Sequence, residues 1–490
     1  MPLQINFNTY PASNRTPGVF SEIDNSQANT GGVNQRSLIV AQKTAAGSAA
    51  ANVPVLSSGA QSAKAQFGAG SQAALAVEHY RRTDGFGELW VLPVDDLGAG
   101  TAGTIAVTIA GTATAAGTLT LYVAGVPVQV SVAIGDTATV IAGKVVTAVA
   151  GNADLPVTAA NAAGVVTLTA KNKGVAASDV LDVRPNFYGA ANGEALPAGV
   201  TVSVAAATAG TGDPLLDAPL AALGDDEYDF IVYPYTGTAG MLSIKNFLKS
   251  RWAWDSQRYG HAFSAYRATL AQANAFGAAN NDEHVTALPV NNSPSPAIKV
   301  AAAYAAACAV SLRADPALPL QYIELDFIAP PPGSRFTRSE RNTLLYGGNS
   351  TFTVNKAGVP VLERAITTYR VNTAGVADNS FLDVETLFTL QDLHRSLIAE
   401  LGTKFARKKL VQDGKRLPAS TNTVTAQTVK FEAIAHYLRK EDAGLVQNSE
   451  AFIKGVKAVN QGSGVVALEL PWDVANQLRV IVFRDVFRKS

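Results

Sequence analysis

Residues 229–288 read DFIVYPYTGTAGMLSIKNFLKSRWAWDSQRYGHAFSAYRATLAQANAFGAANNDEHVTAL. Three short apolar segments in this stretch have the length and composition of buried strands: Asp229–Tyr233, Ala262–Tyr266 and Val285–Leu288. Helical segments over Gly240–Arg251 and Thr269–Phe276 separate them. This alternation of strand and helix predicts an α/β layer architecture.

The same pattern extends in both directions along the chain. Strands predicted at Ser37–Ala41 and Glu88–Val94 flank a helix over Ser71–Arg82, and an Ala-rich helix follows near Pro296–Arg313. The Pro-rich passage Pro316–Gly333 then predicts a linker on the protein surface. We therefore predict one α/β domain made of residues 21–96 and 213–333.

The composition changes between residues 97 and 212, where Gly, Ala, Thr and Val dominate and charged residues are few. Runs in which apolar and polar residues alternate are typical of strands, and they occur as TLTLYV (118–123), VPVQVSV (126–132) and VVTLT (165–169). Because the strand and helix alternation resumes after this region, residues 97–212 are interpreted as an inserted β-rich domain.

The C-terminal part follows a different pattern. A hairpin is predicted from Thr351–Val354, a turn at Asn355–Gly358, and Val359–Arg370. Predicted helices at Val384–Leu410 and Thr428–Ala443 precede predicted strands at Val465–Leu470 and Leu478–Phe487. Residues 334–477 are thus expected to form an α+β domain, and residues 1–20 and 478–490 to form extended arms. The fold class is α/β in the centre and α+β multidomain as a whole.

Composition limits the classes of partner. Lys plus Arg and Asp plus Glu each number 39, so no net field attracts nucleic acid or an anionic membrane surface. Charged residues make up only 16% of the 490 residues, which favours a surface covered by neighbouring subunits. The single cysteine, Cys308, excludes an intrachain disulfide and suits a reducing cytoplasm. The sequence contains no stretch of eighteen uninterrupted apolar residues, so we predict no membrane span.

Motifs for nucleotide, zinc or acyl-transfer chemistry are absent from the sequence. The five histidines are far apart, and the i,i+4 pair Glu432 and His436 favours a structural role. The acidic cluster formed by Asp225, Asp226, Glu227 and Asp229 is interpreted as a solvated turn or an inter-subunit salt bridge. We predict no catalytic residue, no metal site and no cofactor.

Residues 363–390, ERAITTYRVNTAGVADNSFLDVETLFTL, resemble a signature of contractile phage tail sheath proteins. Further blocks that resemble the family follow in order: KFARKKLVQDG (404–414), YLRKEDAGLVQN (437–448) and LPWDVANQLRVIV (470–482). Near the start, TPGVFSEID (16–24) resembles the opening of the family, while GELWVLP (87–93) and RWAWDSQRYGHAFSA (251–265) are similar to its Mu-like branch, which is related to R-type pyocin sheaths. Residues 456–464, VKAVNQGSG, depart from a charged run often found there. The resemblance does not cover residues 97–212, which correspond in position to variable, outward-facing domains.

The resemblance implies a non-enzymatic subunit that forms stacked hexameric rings in a helical array around a tail tube protein. It also implies contacts with baseplate and tail terminator proteins, a place in the virion, assembly in the host cytoplasm, and contraction during genome delivery. In such proteins the terminal arms complete a sheet in neighbouring subunits. The arm residues expected to do so here are Ile5, Phe7, Val19, Phe20, Leu478, Val480, Val482 and Phe483.

Tube-facing residues are expected in the C-terminal domain, where weak exposed ion pairs would let the tube be released. The candidates are Arg395, Lys404, Arg407, Lys408, Lys409, Lys454 and Lys457. A solvated helix face is an equally simple interpretation of each residue, since basic side chains favour helix C-termini. Two other classes of protein remain open at this point: another viral structural protein such as an adhesin or coat subunit, and an α/β hydrolytic enzyme.

Overall fold

The computed structural model describes residues 35–414 and 422–489. A six-stranded sheet lies at its centre, with the strand order β13-β12-β11-β1-β3-β2. Its strands are β1 Ser37–Gln42, β2 Val55–Leu56, β3 Leu89–Val94, β11 Phe230–Val232, β12 His261–Arg267 and β13 Val285–Val290. All neighbouring strands pair in parallel except β2, which is antiparallel to β3. The α/β architecture predicted from residues 229–288 is confirmed.

Helices cover both faces of this sheet, which explains why its strands are apolar without alternation. In β1, Ile39 packs into the core formed with α1 Ala60–Phe67, α2 Gln72–Thr83 and α7 Ala297–Ala314. Leu38, its neighbour, packs into the opposite core beside α4 Asp217–Ala221 and α5 Thr238–Arg251. Helix α6 Leu270–Ala279 forms a smaller cluster beside β12. Among the described residues only α7 is long and apolar enough to span a membrane, and 72% of it is buried inside the protein.

Residues 102–204 form two antiparallel sheets around a core of their own. The first sheet has the order β10-β4-β8-β7 and the second the order β6-β5-β9. Their elements are β4 Ala102–Gly111, β5 Gly117–Val123, β6 Val126–Val132, α3 Ala138–Ala150, β7 Val157–Ala162, β8 Val165–Lys173, β9 Val183–Pro185 and β10 Val200–Val204. The sequence did not predict α3, because its Ala, Val and Thr content matches that of the strands around it.

The two ends of this β-rich region meet. Thr101 N–H donates to Thr211 O at 2.9 Å, and Thr211 N–H donates to Thr101 O at 3.2 Å. Polar side chains hold the region against the central sheet: Gln42 and Asn172 both donate to Asp96 Oδ1, and Arg267 pairs with Asp179 at 2.6 Å. The region therefore contacts the central domain at two separate places in addition to its ends.

The remaining elements follow α7. The strands are β14 Ile323–Glu324, β15 Thr351–Val354, β16 Pro360–Arg364, β17 Lys409–Leu410, β18 Thr423–Val424, β19 Lys457–Gly462 and β20 Val465–Glu469. The helices are α8 Arg338–Tyr346, α9 Val384–Phe405, α10 Ala426–Asp442 and α11 Ser449–Gly455. Helix α9 reaches the central sheet, where Phe388 stacks on Phe230 with a centroid distance of 5.0 Å.

Four predictions need correction. Residues 316–333 are not a surface linker: β14 pairs with β16, and Leu320, Leu325 and Phe327 are buried, because prolines prevent a helix without preventing burial. The predicted hairpin strand ends at Arg364, and α9 ends at Phe405, five residues before the predicted end. Residues 478–487 form no strand in this chain, since a strand requires a pairing partner.

The predicted domain boundary at residue 334 does not coincide with a break in packing. Phe352, Leu362, Val384 and Phe388 belong to the same apolar core as the central sheet. A separate, smaller core begins at Leu393 and includes Tyr437, Val446, Phe452 and Val456. The domain division thus remains a proposal, and the structure favours a packing boundary within α9.

Replacing residues 102–210 by an Asn-Gly turn should leave the central α/β region folded. Thr101 and Thr211 form a hydrogen-bonded antiparallel pair, which a two-residue turn closes as a hairpin. We expect a cooperative thermal unfolding transition, measured by circular dichroism, at a lower temperature than in the full chain because Leu75 becomes exposed. Removing only residues 102–150 is the matched control, which should aggregate because it deletes β4 and leaves its partners β8 and β10 unpaired. If the variant that lacks residues 102–210 does not fold, the interpretation of residues 97–212 as an inserted domain is wrong.

Candidate inter-subunit surfaces

The C-terminal segment is apolar and lies in solvent. Seven large apolar side chains between residues 478 and 487 are 64–87% exposed: Leu478, Val480, Ile481, Val482, Phe483, Val486 and Phe487. No residue from 480 to 489 forms a hydrogen bond or an ion pair with another described residue. A contiguous exposed patch of this kind is typical of a surface that binds another protein chain.

The root of this segment, in contrast, is held tightly by its own subunit. Arg479 Nη2 lies 2.6 Å from Glu385 Oε1 and 3.2 Å from Asp383 Oδ1. Gln321 Nε2 donates to Leu478 O at 3.3 Å. Arg479 is not among the residues predicted from the sequence. It is the one charged residue within LRVIVF (478–483), and a lone charge in an apolar segment can indicate an ion pair.

Glu385 is fully buried in the first turn of α9. Its Oε1 also accepts the Leu320 N–H at 2.5 Å. Burial raises the pKa of Glu385, while Arg479 and the Leu320 N–H oppose the rise. Asp383, the N-cap of α9, accepts two hydrogen bonds of 3.0 Å from Arg364 at the end of β16. Arg479 therefore touches two carboxylates at the beginning of α9, and one of them, Asp383, also binds Arg364 of the neighbouring hairpin.

Strands β19 and β20 form a two-stranded antiparallel sheet. Each of them pairs with no other strand of the described chain, so each has an open edge. Val459 and Val465 are 56% and 49% exposed. Beneath the hairpin, Tyr437 stacks on Phe452 with a centroid distance of 3.7 Å, and Trp472 packs against both rings. The hairpin is thus supported from one side and open at both edges.

Most of the basic candidates are exposed side chains. Lys404 pairs with Glu432 across α9 and α10, Lys454 lies 3.9 Å from Glu450, and Lys457 lies 3.0 Å from Glu469. Arg407, Lys408 and Lys409 are exposed after the end of α9. They lie at two places along the chain, the end of α9 and the junction of α11 with β19.

Arg395 is an exception, and the expectation that it forms a weak exposed pair is wrong. Its guanidinium contacts Asp229, which is 1% exposed, and lies 2.6 Å from Glu227. Gln391 also donates to Asp229, as does the Arg36 N–H at 3.0 Å. Burial raises the pKa of Asp229, and Arg395 opposes the rise. The predicted solvated turn therefore applies to Asp225 and Asp226, but Asp229 anchors α9 to β11.

The histidines occupy structural positions. His436 Nδ1 lies 2.9 Å from Glu400 rather than beside Glu432. Burial lowers the pKa of His79 to about 3 and that of His284 to about 4, so both are neutral at pH 7. Across residues 35–414 and 422–489, no group of three or more His, Cys, Asp or Glu side chains is placed to hold a metal ion. The candidate sites among the described residues are therefore surfaces for assembly, namely the exposed C-terminal segment and the β19–β20 hairpin.

Known proteins that are similar to this chain in sequence or fold include tail sheath proteins. The family model "Phage tail sheath protein central domain" matches residues 207–368. The Mu-like prophage FluMu tail sheath protein of Haemophilus influenzae is 37% identical over 452 residues, which cover 92% of each chain. The sheath tail protein of Desulfitobacterium hafniense is 14% identical, with a TM-score of 0.48 and coverage of 94% of this chain and 97% of that one. The contracted helical sheath of the anti-feeding prophage is 11% identical, with a TM-score of 0.47 and coverage of 96% and 99%.

Substituting Arg395→Met should lower the free energy of unfolding by about 3–5 kcal/mol, because it leaves the buried Asp229 carboxylate without its cation. The control Lys404→Met removes an exposed pair and should cost less than about 1 kcal/mol. The measurement is urea unfolding followed by tryptophan fluorescence at pH 5 and pH 8.

The pH dependence of the Arg395→Met deficit has a definite sign. A carboxyl whose folded pKa lies above its unfolded value destabilises the folded state once it ionises, and protonation relieves this cost. The deficit relative to the unsubstituted protein should therefore be smaller at pH 5 than at pH 8. Equal costs for the two variants would contradict the assignment of Asp229 as a buried anchor.

Proposed function

The chain belongs to the phage tail sheath protein family and is a structural subunit of the virion rather than an enzyme, and from this premise we propose how it assembles and works. The subunit polymerises as stacked hexameric rings in a helical array around a tail tube protein. Contraction of this array drives the tube through the host envelope during genome delivery. Baseplate and tail terminator proteins bound the array, which is assembled in the host cytoplasm. The adhesin and hydrolase alternatives are not retained.

The observation that carries the assembly proposal is the exposed part of the C-terminal arm, residues 480–489. We infer that residues 480–487 of one subunit pair as a strand with an open edge of the β19–β20 hairpin in a neighbouring subunit. A two-stranded hairpin is marginal on its own and gains stability from additional strands. The arm supplies apolar side chains and unpaired backbone groups, while the hairpin supplies an unpaired edge.

The sequence of the arm sets a requirement on the site that receives it. In a strand, Val480 and Val482 point to one face and Ile481 and Phe483 to the other. Both faces are apolar, so both must be covered after pairing. Burying five or six such side chains contributes about 10 kcal/mol gross, at roughly 1.5–3 kcal/mol each, before ordering and association costs. This is enough to keep two subunits linked while their other contacts change.

Contraction then requires two packings of the same subunits, a metastable extended one and a stable compressed one. Links made by arms persist through such a change because the arm can turn at its exposed stretch. The N-terminal arm, with Ile5, Phe7, Val19 and Phe20, is proposed as a second link, although these residues lie outside the described ranges. The tube is proposed to contact some of Lys404, Arg407, Lys408, Lys409, Lys454 and Lys457, which are exposed.

Deleting residues 480–490 should abolish ordered polymers and leave a folded monomer, because the deleted residues are exposed and form no polar contact within the described chain. Negative-stain electron microscopy at increasing protein concentration measures polymer formation, and circular dichroism measures folding. The control Arg484→Gln keeps the apolar strand and should form the same polymers as the full chain. Normal tubes from the truncated protein would refute the donated strand.

A further inference from the structure

We propose that Arg479 is the positioning residue that fastens the C-terminal arm to its own subunit, and that its ion pairs with Glu385 and Asp383 transmit the pull of a neighbouring subunit into α9. The second part of this proposal rests on the proposed function, since it assumes that the arm is donated. The first part concerns the isolated chain and stands independently of assembly.

The contacts of the arm with its own subunit end at Arg479. Before this residue, Trp472 packs in the small core and Ala475 N–H donates to Leu445 O at 3.0 Å. The Arg479 side chain itself is only 13% exposed. After it, Val480 is 74% exposed, and no residue up to 489 has a polar contact in the described chain. The transition from held to free chain therefore occurs within one residue.

The chemistry of the contact suits an anchor. A guanidinium is always charged and is more weakly hydrated than a lysine ammonium, so arginine is favoured in a partly buried ion pair. Arg479 contacts the buried Glu385 and the N-cap residue Asp383 through the same nitrogen. Asp383 already has Arg364 as a partner, but Arg479 is the only cation that contacts Glu385 in the described chain. Of these two carboxylates, Glu385 is thus the one with no other cation beside it, and it holds the root of the arm.

The anchor lies where tension can pass to the centre of the subunit. Glu385 and Asp383 belong to the beginning of α9, and Phe388, one turn further, stacks on Phe230 in the central sheet. Arg395, two turns after Phe388, contacts Asp229 beside the same strand. A pull on the arm therefore reaches the central sheet through Arg479 and α9 before it reaches the small core under the β19–β20 hairpin.

The test uses a full-length double variant, Arg479→Met with Glu385→Gln, so that no buried charge remains unpaired. We expect thermal unfolding close to that of the unsubstituted protein. Amide hydrogen exchange of residues 472–479, measured by mass spectrometry on the unassembled chain, should be about tenfold faster or more, the ratio that loss of one charge-assisted hydrogen bond predicts. The control Arg484→Met alters an exposed charge in the arm and should leave this exchange unchanged.

Assembly provides the second measurement on the same proteins. The double variant should need a protein concentration at least about tenfold higher to form tubes, by the same ratio. The single variant Arg479→Lys keeps the positive charge and should need a smaller increase. Unchanged exchange at residues 472–479 in the folded double variant would overturn the anchor. Faster exchange with tubes at the ordinary concentration would overturn its role in transmitting tension. Failure of the arm deletion to affect polymers would instead refute the donated strand and leave the exchange result intact.

Discussion

The packing of α9 against the central sheet positions the two candidate assembly surfaces, the root of the C-terminal arm and the β19–β20 hairpin. Phe388 and Phe230 stack with an interplanar angle of 9°, and Arg395 reaches the buried Asp229 at the start of the same strand. The root of the C-terminal arm contacts the first turn of α9. Helix α10 packs along the later part of α9, where Asp392 pairs with Lys440 and Lys404 pairs with Glu432. Loss of this packing would separate the arm root and the hairpin from the sheet together.

The chain exposes at its C-terminus the type of sequence that soluble proteins usually bury. Residues 480–483 are exposed on their own subunit, and among the described residues no third strand pairs with the β19–β20 hairpin. The proposed donation of the arm to a neighbouring copy would cover both, because every subunit offers one arm and one hairpin.

The buried ionisable groups serve the fold. Asp229, Glu385, His79 and His284 are buried, and the burial shifts the pKa of each toward the uncharged form. At a catalytic site such shifts would accompany a cleft with convergent polar groups. Here the two carboxylates instead contact arginines from distant parts of the chain. These pairs join segments that lie far apart along the chain.

The order of strands and helices in the central domain can be read from the sequence. The strands of a parallel sheet that is covered on both faces are continuous apolar segments, and this local signal does not depend on partners. The sequence also determined the membership of the family, through blocks such as residues 363–390. It did not indicate α3, whose composition matches neighbouring strands, nor the burial of residues 316–333. Only the tertiary structure showed that Arg395 and Arg479 pair with buried carboxylates and are not exposed charges. The reason is physical: their partners Asp229 and Glu385 lie 166 and 94 residues away along the chain, and only folding brings such groups together.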